Sequence, residues 1–309
     1  MKTKIHFNSC LILLFFFGIT GGLKHDTLYA QQTNNAPLQD GLGEFVYTDY
    51  EPLKDRPITV YYYKPKNLPK DAPVMILMHG NSRAALNYRK SMVPYAEQYK
   101  FLLIVPKFSA ELYPSIDYHQ GGVFDKNGKM KERKDWTFSV IEPLFDYVVH
   151  KENKTNKGYI LYGFSAGAQF VHRYSWFFPN NRALKTITAS AGSYTMPDYN
   201  ADYKYGLGSS KVSLENLKSV FGKDYTVVVG QADTVLSRKD LPKDVLVSRQ
   251  GRDRVERAMH FYLNAKQFAN DKRDPFTWKF EMPEGVGHSQ AEMAGPVARM
   301  LFDKEDKEN

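Results

Sequence analysis

The sequence predicts an α/β fold, with a mostly parallel central sheet covered by helices on both faces. Short, continuously apolar runs such as Val74–Met78 and Tyr225–Val229 alternate with helical patterns along the chain. Strands that are apolar throughout, without alternation of polar residues, are typical of parallel sheets buried on both faces. The 309 residues are 42% hydrophobic and 25% charged, which excludes a disordered or collagen-like chain and allows a sizeable core.

The predicted elements follow one another through most of the chain. The strands are expected at residues 58–63, 74–78, 101–105, 159–162, 183–189, 225–229 and 277–281. Helices are expected at 136–151, 169–177 and 252–268. The first has an apolar stripe through Val140, Ile141, Leu144, Phe145 and Val148. The last has a similar stripe through Val255, Met259, Tyr262 and Leu263. Residues 107–135 and 192–212 lack periodicity, and loops of that length usually form walls or lids of a site.

Residues 1–30 are predicted to be a cleavable secretory signal peptide. Lys2 and Lys4 precede an uncharged apolar run at 11–19, and Leu28-Tyr29-Ala30 offers a cleavage site. That run is shorter than the roughly 20 residues of a membrane-spanning helix. An uncleaved anchor is the alternative, because Leu28 is larger than the small residue favoured at that position.

Cleavage at this site would leave a secreted chain, periplasmic or extracellular, with residues 31–43 as a flexible lead-in and 44–309 as one α/β domain. Cys10 is the one cysteine, so the sequence excludes a disulfide framework and a multi-cysteine zinc site, and cleavage would remove Cys10 as well. Cleavage would also remove three lysines and one aspartate, lowering the net charge from +8 to +6. No other stretch is apolar enough to span a membrane.

A basic run at residues 126–134 is interpreted as a solvated loop. No aromatic residues interleave its charges as a stacking platform for bases would require, so no nucleic-acid partner is expected.

The strongest motif is Gly163-Phe164-Ser165-Ala166-Gly167, between a predicted strand and a predicted helix. A nucleophile at a strand-to-helix turn needs a strained backbone, and glycines two residues before and after it keep side chains out of the turn. Ser165 is therefore the predicted nucleophile. A second Ser-Ala-Gly, at 190–192, has Thr188 in place of the first glycine and is interpreted as strand-end packing.

A serine hydroxyl needs a base, and the base needs an orienting acid. Of six histidines beyond residue 30, His288 lies in a glycine-bearing loop directly after the last predicted strand, where it can reach the carboxyl ends of the strands. Asp233 lies just past the strand at 225–229, whereas Asp224 precedes that strand and would lie at the wrong end of the sheet. His288 is the predicted base and Asp233 the predicted acid. His79 is interpreted as a structural brace.

Two backbone N–H groups are the candidate donors of an oxyanion hole. One belongs to Ala166, the residue after the nucleophile, and the other to Asn81, in the loop after the strand that ends at His79-Gly80.

The Ser165, Asp233 and His288 candidates follow one another in the chain order that is typical of the α/β-hydrolase superfamily. With this order and the motifs His79-Gly80-Asn81 and Gly163–Gly167, the chain resembles that superfamily from about Ile58 onward. Within it, the sequence is similar to secreted esterases of the polyhydroxybutyrate-depolymerase and feruloyl-esterase type. The resemblance implies an α/β-hydrolase catalytic domain over 44–309. It also implies a serine hydrolase that cleaves small or polymeric carboxylic esters through an acyl-enzyme, with no cofactor or metal.

Aromatic residues in the two non-periodic stretches are candidates for the substrate-binding walls, which would suit an apolar or aromatic acyl group. They are Phe108, Tyr113, Tyr118, Trp136 and Tyr194. Packing of these rings against the core is the alternative.

Two other functions stay open at this point. A serine exopeptidase on the same fold would need charged groups to hold a peptide terminus, and the sequence alone assigns none. A binding protein that has lost catalysis is disfavoured by the complete set of Ser, Asp and His candidates.

Overall fold

The computed structural model describes residues 36–239 and 241–303, so the predicted signal peptide lies outside the described residues. Eight strands form one sheet in the order β1-β2-β4-β3-β5-β6-β7-β8. Their bounds are Gly41–Tyr47 (β1), Ile58–Lys64 (β2), Val74–Met78 (β3), Leu102–Lys107 (β4), Tyr159–Phe164 (β5), Ala183–Ala189 (β6), Tyr225–Val228 (β7) and Lys279–Glu281 (β8). The pairs β1–β2 and β2–β4 are antiparallel, and every other pair is parallel. The predicted α/β architecture is confirmed.

Helices cover both faces of this sheet. Their bounds are Ala85–Tyr99 (α1), Ser115–Tyr118 (α2), Ile141–Lys151 (α3), Ala166–Phe177 (α4), Leu214–Phe221 (α5), Val245–Ser248 (α6), Arg254–Lys272 (α7) and Gln290–Phe302 (α8). On one face, α1 and α8 pack on Met75 and Leu77 of β3. On the other, α3, α4, α5 and α7 share a core with Ile76. Successive β3 side chains enter opposite layers, which is why this strand is apolar at every position.

The first strand begins at Gly41, so the last three residues of the predicted lead-in belong to the sheet. Side chains along β1 alternate between exposed and partly buried positions, as expected of an edge strand with only one covered face. Its two glycines and polar surroundings concealed that alternation in the sequence.

The helix predicted at 252–268 is present as α7, but part of its buried face differs from the predicted stripe. Met259 and Leu263 are 40% and 49% exposed, while Ala258, Phe261 and Ala265 are fully buried. Arg254 and Arg257 share that buried face. Of the predicted stripe, Val255 and Tyr262 pack against the core, and Met259 and Leu263 do not. The buried face consists largely of alanines and two arginines, so a count of large apolar residues found only part of it.

The non-periodic stretches 107–135 and 192–212 lie over the carboxyl ends of the strands and contain short helical turns and isolated bridges. In the part of the chain that the structure describes, no helix has both the length and the apolar character needed to cross a bilayer.

Candidate active site

Ser165 occupies the sharp turn between β5 and α4. Its backbone has φ 58° and ψ −116°, a strained conformation for a residue with a side chain. The Ser165 N–H donates to the carbonyl of Ala189 at the end of β6 (2.8 Å), and its carbonyl accepts the first helical bond, from Gln169 N–H (3.1 Å). The turn is therefore held from both sides, and the Ser165 hydroxyl lies at the carboxyl end of the sheet.

The two flanking glycines are required by close backbone contacts. A Cβ on Gly163 would lie 2.3 Å from the carbonyl oxygen of Gly167, and a Cβ on Gly167 would lie 2.0 Å from the carbonyl oxygen of Met78. Neither clash can be relieved by a side-chain rotation, because backbone atoms are on the other side. Strand and helix approach closely enough to hold the turn only because both positions lack side chains.

Asp233, His288 and Ser165 form a continuous chain of contacts. His288 Nε2 lies 3.0 Å from Ser165 Oγ, and His288 Nδ1 lies 2.7 Å from Asp233 Oδ2. Asp233 is buried and follows β7, and His288 follows β8. A base within hydrogen-bond distance of the nucleophile, itself oriented by a buried carboxylate, is the arrangement needed to remove the serine proton.

The loops that carry Asp233 and His288 are joined to each other. Ala232 N–H donates to the Val286 carbonyl (2.9 Å), and Gln231 N–H donates to the Pro283 carbonyl (3.0 Å). The His288 imidazole also packs against the Phe164 ring, with centroids 4.9 Å apart. These contacts fix the distance between the acid and the base and the orientation of the imidazole.

Arg254 adds a buried positive charge behind the acid. Its Nη1 lies 3.6 Å from Asp233 Oδ1, and both side chains are 1% exposed. The two carboxylate oxygens thus have different partners, one on the histidine side and one on the arginine side. The sequence argument missed Arg254, because nothing local indicates that the first residue of α7 faces Asp233.

His79 and His172 are placed as structural residues. The buried His79 receives a hydrogen bond from Phe108 N–H at Nε2 (3.0 Å), and its Nδ1–H donates to the Gly80 carbonyl (2.9 Å). Burial lowers the pKa of His79 to about 3, so the ring stays neutral and holds the loop that leads to Asn81. His172 Nδ1–H likewise donates to the Ala168 carbonyl (2.8 Å), within α4.

Asn81 and Ala166 line the same cavity as Ser165. Ala166 begins α4 and precedes the first helical hydrogen bond, so its N–H has no acceptor within the helix. The two residues that carry the predicted donors thus lie at the same cavity as the predicted nucleophile.

The cavity beside Ser165 has a volume of about 320 Å³ and is lined mainly by polar side chains. Ser115, His119 and Gln120 come from the first non-periodic stretch, and Ser193 and Lys204 from the second. Both stretches thus contribute to the walls.

The predicted aromatic walls need correction, because none of the five rings lines this cavity. Phe108, Tyr113, Tyr118, Trp136 and Tyr194 are between 0% and 6% exposed and belong to the core. The Tyr118 hydroxyl donates to the His79 carbonyl (2.7 Å), and the Trp136 indole N–H donates to the Lys131 carbonyl (2.9 Å). Large rings with their polar atoms bonded to the backbone are more stable under the loops than exposed in a wet cavity.

Sequence reasoning also missed Gln169 and Arg173, which line the cavity from α4. They lie four and eight residues after Ser165, a spacing that places them on the same side of the helix as the nucleophile. Polar residues four and eight positions after the predicted nucleophile are the pattern that would have found them. Among residues 36–239 and 241–303, no group of three or more His, Cys, Asp or Glu is arranged to hold a metal ion.

Two solved structures are similar to this chain over most of its length. Poly(aspartic acid) hydrolase-1 from Sphingomonas sp. KT-1 is 31% identical with a TM-score of 0.83, covering 86% of this chain and 100% of that chain. A poly(3-hydroxybutyrate) depolymerase from Bordetella parapertussis is 28% identical with a TM-score of 0.81, covering 86% and 91%.

An S-formylglutathione hydrolase from Agrobacterium tumefaciens shares the fold alone, at 15% identity and a TM-score of 0.52, covering 85% of this chain and 95% of that chain. No protein-family model matches the sequence, and no curated protein matches it significantly.

Proposed function

Because this chain belongs to the α/β-hydrolase family, we propose that it is a serine hydrolase that cleaves carboxylic esters through an acyl-enzyme. Ser165 is the nucleophile, His288 the base and Asp233 the acid. The observation that supports this most directly is the unbroken contact from Asp233 Oδ2 through the His288 ring to Ser165 Oγ.

In the first half of the reaction, Ser165 Oγ attacks the ester carbonyl carbon as His288 Nε2 takes the hydroxyl proton. The tetrahedral intermediate then collapses, the bond to the alcohol oxygen breaks, and the imidazolium protonates that oxygen. In the second half, His288 takes a proton from water, which attacks the acyl carbon. The bond between that carbon and Ser165 Oγ then breaks, the imidazolium returns the proton to Oγ, and the acid is released.

The N–H groups of Ala166 and Asn81 stabilise the negative charge on the carbonyl oxygen in both intermediates. Donors of this kind are typically worth about 10²–10³ in kcat each. The α4 N-terminus, whose peptide dipoles point toward Ser165, adds to the same stabilisation.

A fluorophosphonate probe tests the nucleophile. We expect the native chain to be labelled and Ser165→Ala to remain unlabelled. Ser190→Ala is the matched control, because Ser190 heads the second Ser-Ala-Gly and is completely buried at the end of β6. Equal labelling of Ser165→Ala and the native chain would contradict the assignment. A native chain that is not labelled at all would favour the non-catalytic binding protein.

Amide cleavage is the second candidate, and one comparison favours it. The 31%-identical structure is that of a poly(aspartic acid) hydrolase, and poly(aspartic acid) is joined by amide bonds, whereas poly(3-hydroxybutyrate) is joined by esters. A matched pair, 4-nitrophenyl butyrate and butyric 4-nitroanilide, separates the two reactions. Ester hydrolysis that greatly exceeds anilide hydrolysis supports the ester proposal, and the reverse preference would replace it.

We also propose that the protein is secreted after removal of residues 1–30, because Lys2 and Lys4 precede an uncharged apolar run at 11–19. Expression with the full N-terminus followed by mass spectrometry of the exported protein should give Gln31 as the first residue. A chain that keeps Lys2 and stays with the membrane would indicate the uncleaved anchor.

A further inference from the structure

The cavity beside Ser165 has an excess of positive charge among its described residues. Arg173, Lys204, Lys239 and Lys243 line it, and we call these four the cationic wall. Asp244 is the one carboxylate among the described lining residues. Such a concentration of one charge in a concave site attracts ligands of the opposite charge.

Arg173 is the deepest member of the cationic wall. Its side chain is 0% exposed, and its N–H groups donate to Thr195 Oγ1 (3.0 Å), to Gln169 Oε1 (3.1 Å), and to further hydroxyl and backbone carbonyl oxygens. Within residues 36–239 and 241–303, it has no ion pair with a carboxylate, and burial lowers the pKa of Arg173. A buried cation held only by neutral acceptors is unfavourable for the fold by itself.

Asp244 offsets one of these four positive charges, and its charge favours the charged form of Lys204. Its Oδ1 accepts the N–H groups of Leu246 (3.1 Å) and Val247 (3.1 Å) at the start of α6, and its Oδ2 accepts the Tyr205 hydroxyl. Burial opposes its ionisation, but the hydrogen bonds from Tyr205 and Val247 lower the pKa of Asp244. The carboxylate is thus occupied by local structure, and one negative charge faces four positive ones.

Lys204 and His119 complete the surroundings of Arg173. Lys204 is partly buried, with its ammonium 4.9 Å from the centre of the Tyr205 ring, and burial and the Arg173 charge lower the pKa of Lys204. His119 Nε2 is buried without a hydrogen-bond partner among the described residues. An anion placed here would stabilise both cations and offer His119 a partner.

The distance along α4 suits a short spacer between this anion and the reacting carbonyl. Eight residues separate Ser165 from Arg173, or about 12 Å of helix. Long helical side chains lean toward the N-terminus, which brings the guanidinium closer to Ser165 than its own Cα.

We propose that the substrate carries a carboxylate a few bonds from the scissile carbonyl. Lys204 receives this carboxylate, the buried charge of Arg173 stabilises it from behind, and the exposed Lys239 and Lys243 attract it from the rim. This inference rests on the proposed function, because it places the carboxylate relative to a carbonyl at Ser165. The substrate class is therefore a carboxylic ester that carries a second, free carboxylate.

A pair of isosteric esters tests the inference: the mono-4-nitrophenyl ester of adipate, and the same ester with the free carboxylate replaced by a carboxamide. We expect kcat/KM to be about tenfold or more higher for the carboxylate ester, chiefly through KM, and the preference to weaken as salt is added. Equal kcat/KM for the two esters, with hydrolysis of both dependent on Ser165, would overturn the inference and leave the proposed function intact.

Lys204→Gln should reduce the preference for the carboxylate ester about tenfold. Lys266→Gln is the matched control, because Lys266 is an exposed lysine of α7 that does not line the cavity. A preference that falls equally in both variants would indicate general charge attraction, not a site at Lys204, and would overturn the inference.

Direct binding separates this inference from the proposed function. Calorimetry on Ser165→Ala should show adipate binding more tightly than adipamide, and the difference should shrink when Lys204→Gln is added. Absence of adipate binding would overturn the inference even if the esters are hydrolysed. Adipate binding by a chain that hydrolyses neither ester and is not labelled by the fluorophosphonate would instead overturn the proposed function.

Discussion

Arg254 and Arg173 are both almost completely buried, yet their charges are balanced in different ways. Arg254, on α7, forms an ion pair with the Asp233 carboxylate. Among the residues that the structure describes, Arg173, on α4, donates only to hydroxyl, amide and backbone carbonyl oxygens. The cation behind the proposed triad has its counter-charge inside the protein. The cation beside the cavity, we infer, finds its counter-charge in the substrate.

The largest effect is expected on kcat, from substitution of Asp233, the carboxylate paired with Arg254, or of His288, which Asp233 orients. Asp233→Asn and His288→Ala should each lower kcat about 10³-fold or more, because the imidazole loses its orienting acid or is absent. Steady-state kinetics with 4-nitrophenyl butyrate measures this. Near-normal turnover by either variant would assign that role to another residue.

Arg254→Gln should lower the free energy of unfolding by about 3–5 kcal/mol, because it leaves the buried Asp233 carboxylate without its cation. Urea unfolding measures the change. Arg249→Gln, at an exposed arginine, is the control and should change stability by no more than about 0.5 kcal/mol.

Arg173→Gln should cost less, about 1–3 kcal/mol, because it strands neutral acceptors and no carboxylate. The different partners of the two arginines predict that Arg254→Gln loses more stability than Arg173→Gln. A loss for Arg173→Gln as large as that for Arg254→Gln would indicate that Arg173 has a counter-charge within the protein.

A pH-dependent effect concerns His119, which shares the Arg173 environment. Burial, and then the charges of Arg83 and Arg173, lower the pKa of His119 from 6.5 to about 3. As pH falls below 6.5, the unfolded chain binds a proton at this position and the folded chain does not. His119 therefore reduces stability by up to about 1.4 kcal/mol per pH unit between pH 6.5 and 3.

Urea unfolding of the native chain and His119→Gln, compared between pH 7 and 4, isolates this contribution. The native chain should lose more stability than the variant over that range. Parallel curves would show that His119 binds a proton equally in the folded and unfolded states.

Local chemistry explains why much of the proposed site was predictable. The turn at Ser165 is encoded by five consecutive residues, and its two glycines are needed for contacts within that same segment. Asp233 and His288 were found from the order of the strands, because parallel strands bring their carboxyl ends to one edge. These inferences needed only the sequence and the direction of each strand.

The walls of the cavity could not be found in the same way. Arg173, Lys204 and Lys239 are far apart in the sequence and meet only after folding. The net charge of the chain gives no indication of where its lysines gather. The aromatic residues were misassigned because a loop's composition does not reveal which of its side chains turn inward, and large rings such as Tyr113 gain most by doing so.

The two loops that carry Asp233 and His288 set each other's position, so they would have to be transferred together into another protein. Ala232 and Gln231 are bonded to Val286 and Pro283 through backbone atoms, while the lack of a side chain at Gly230 leaves room for the Val286 carbonyl. Residues 229–233 and 281–288, grafted together onto a related sheet, would bring the acid and the base already spaced. Either segment grafted alone would arrive without the partner that sets its position.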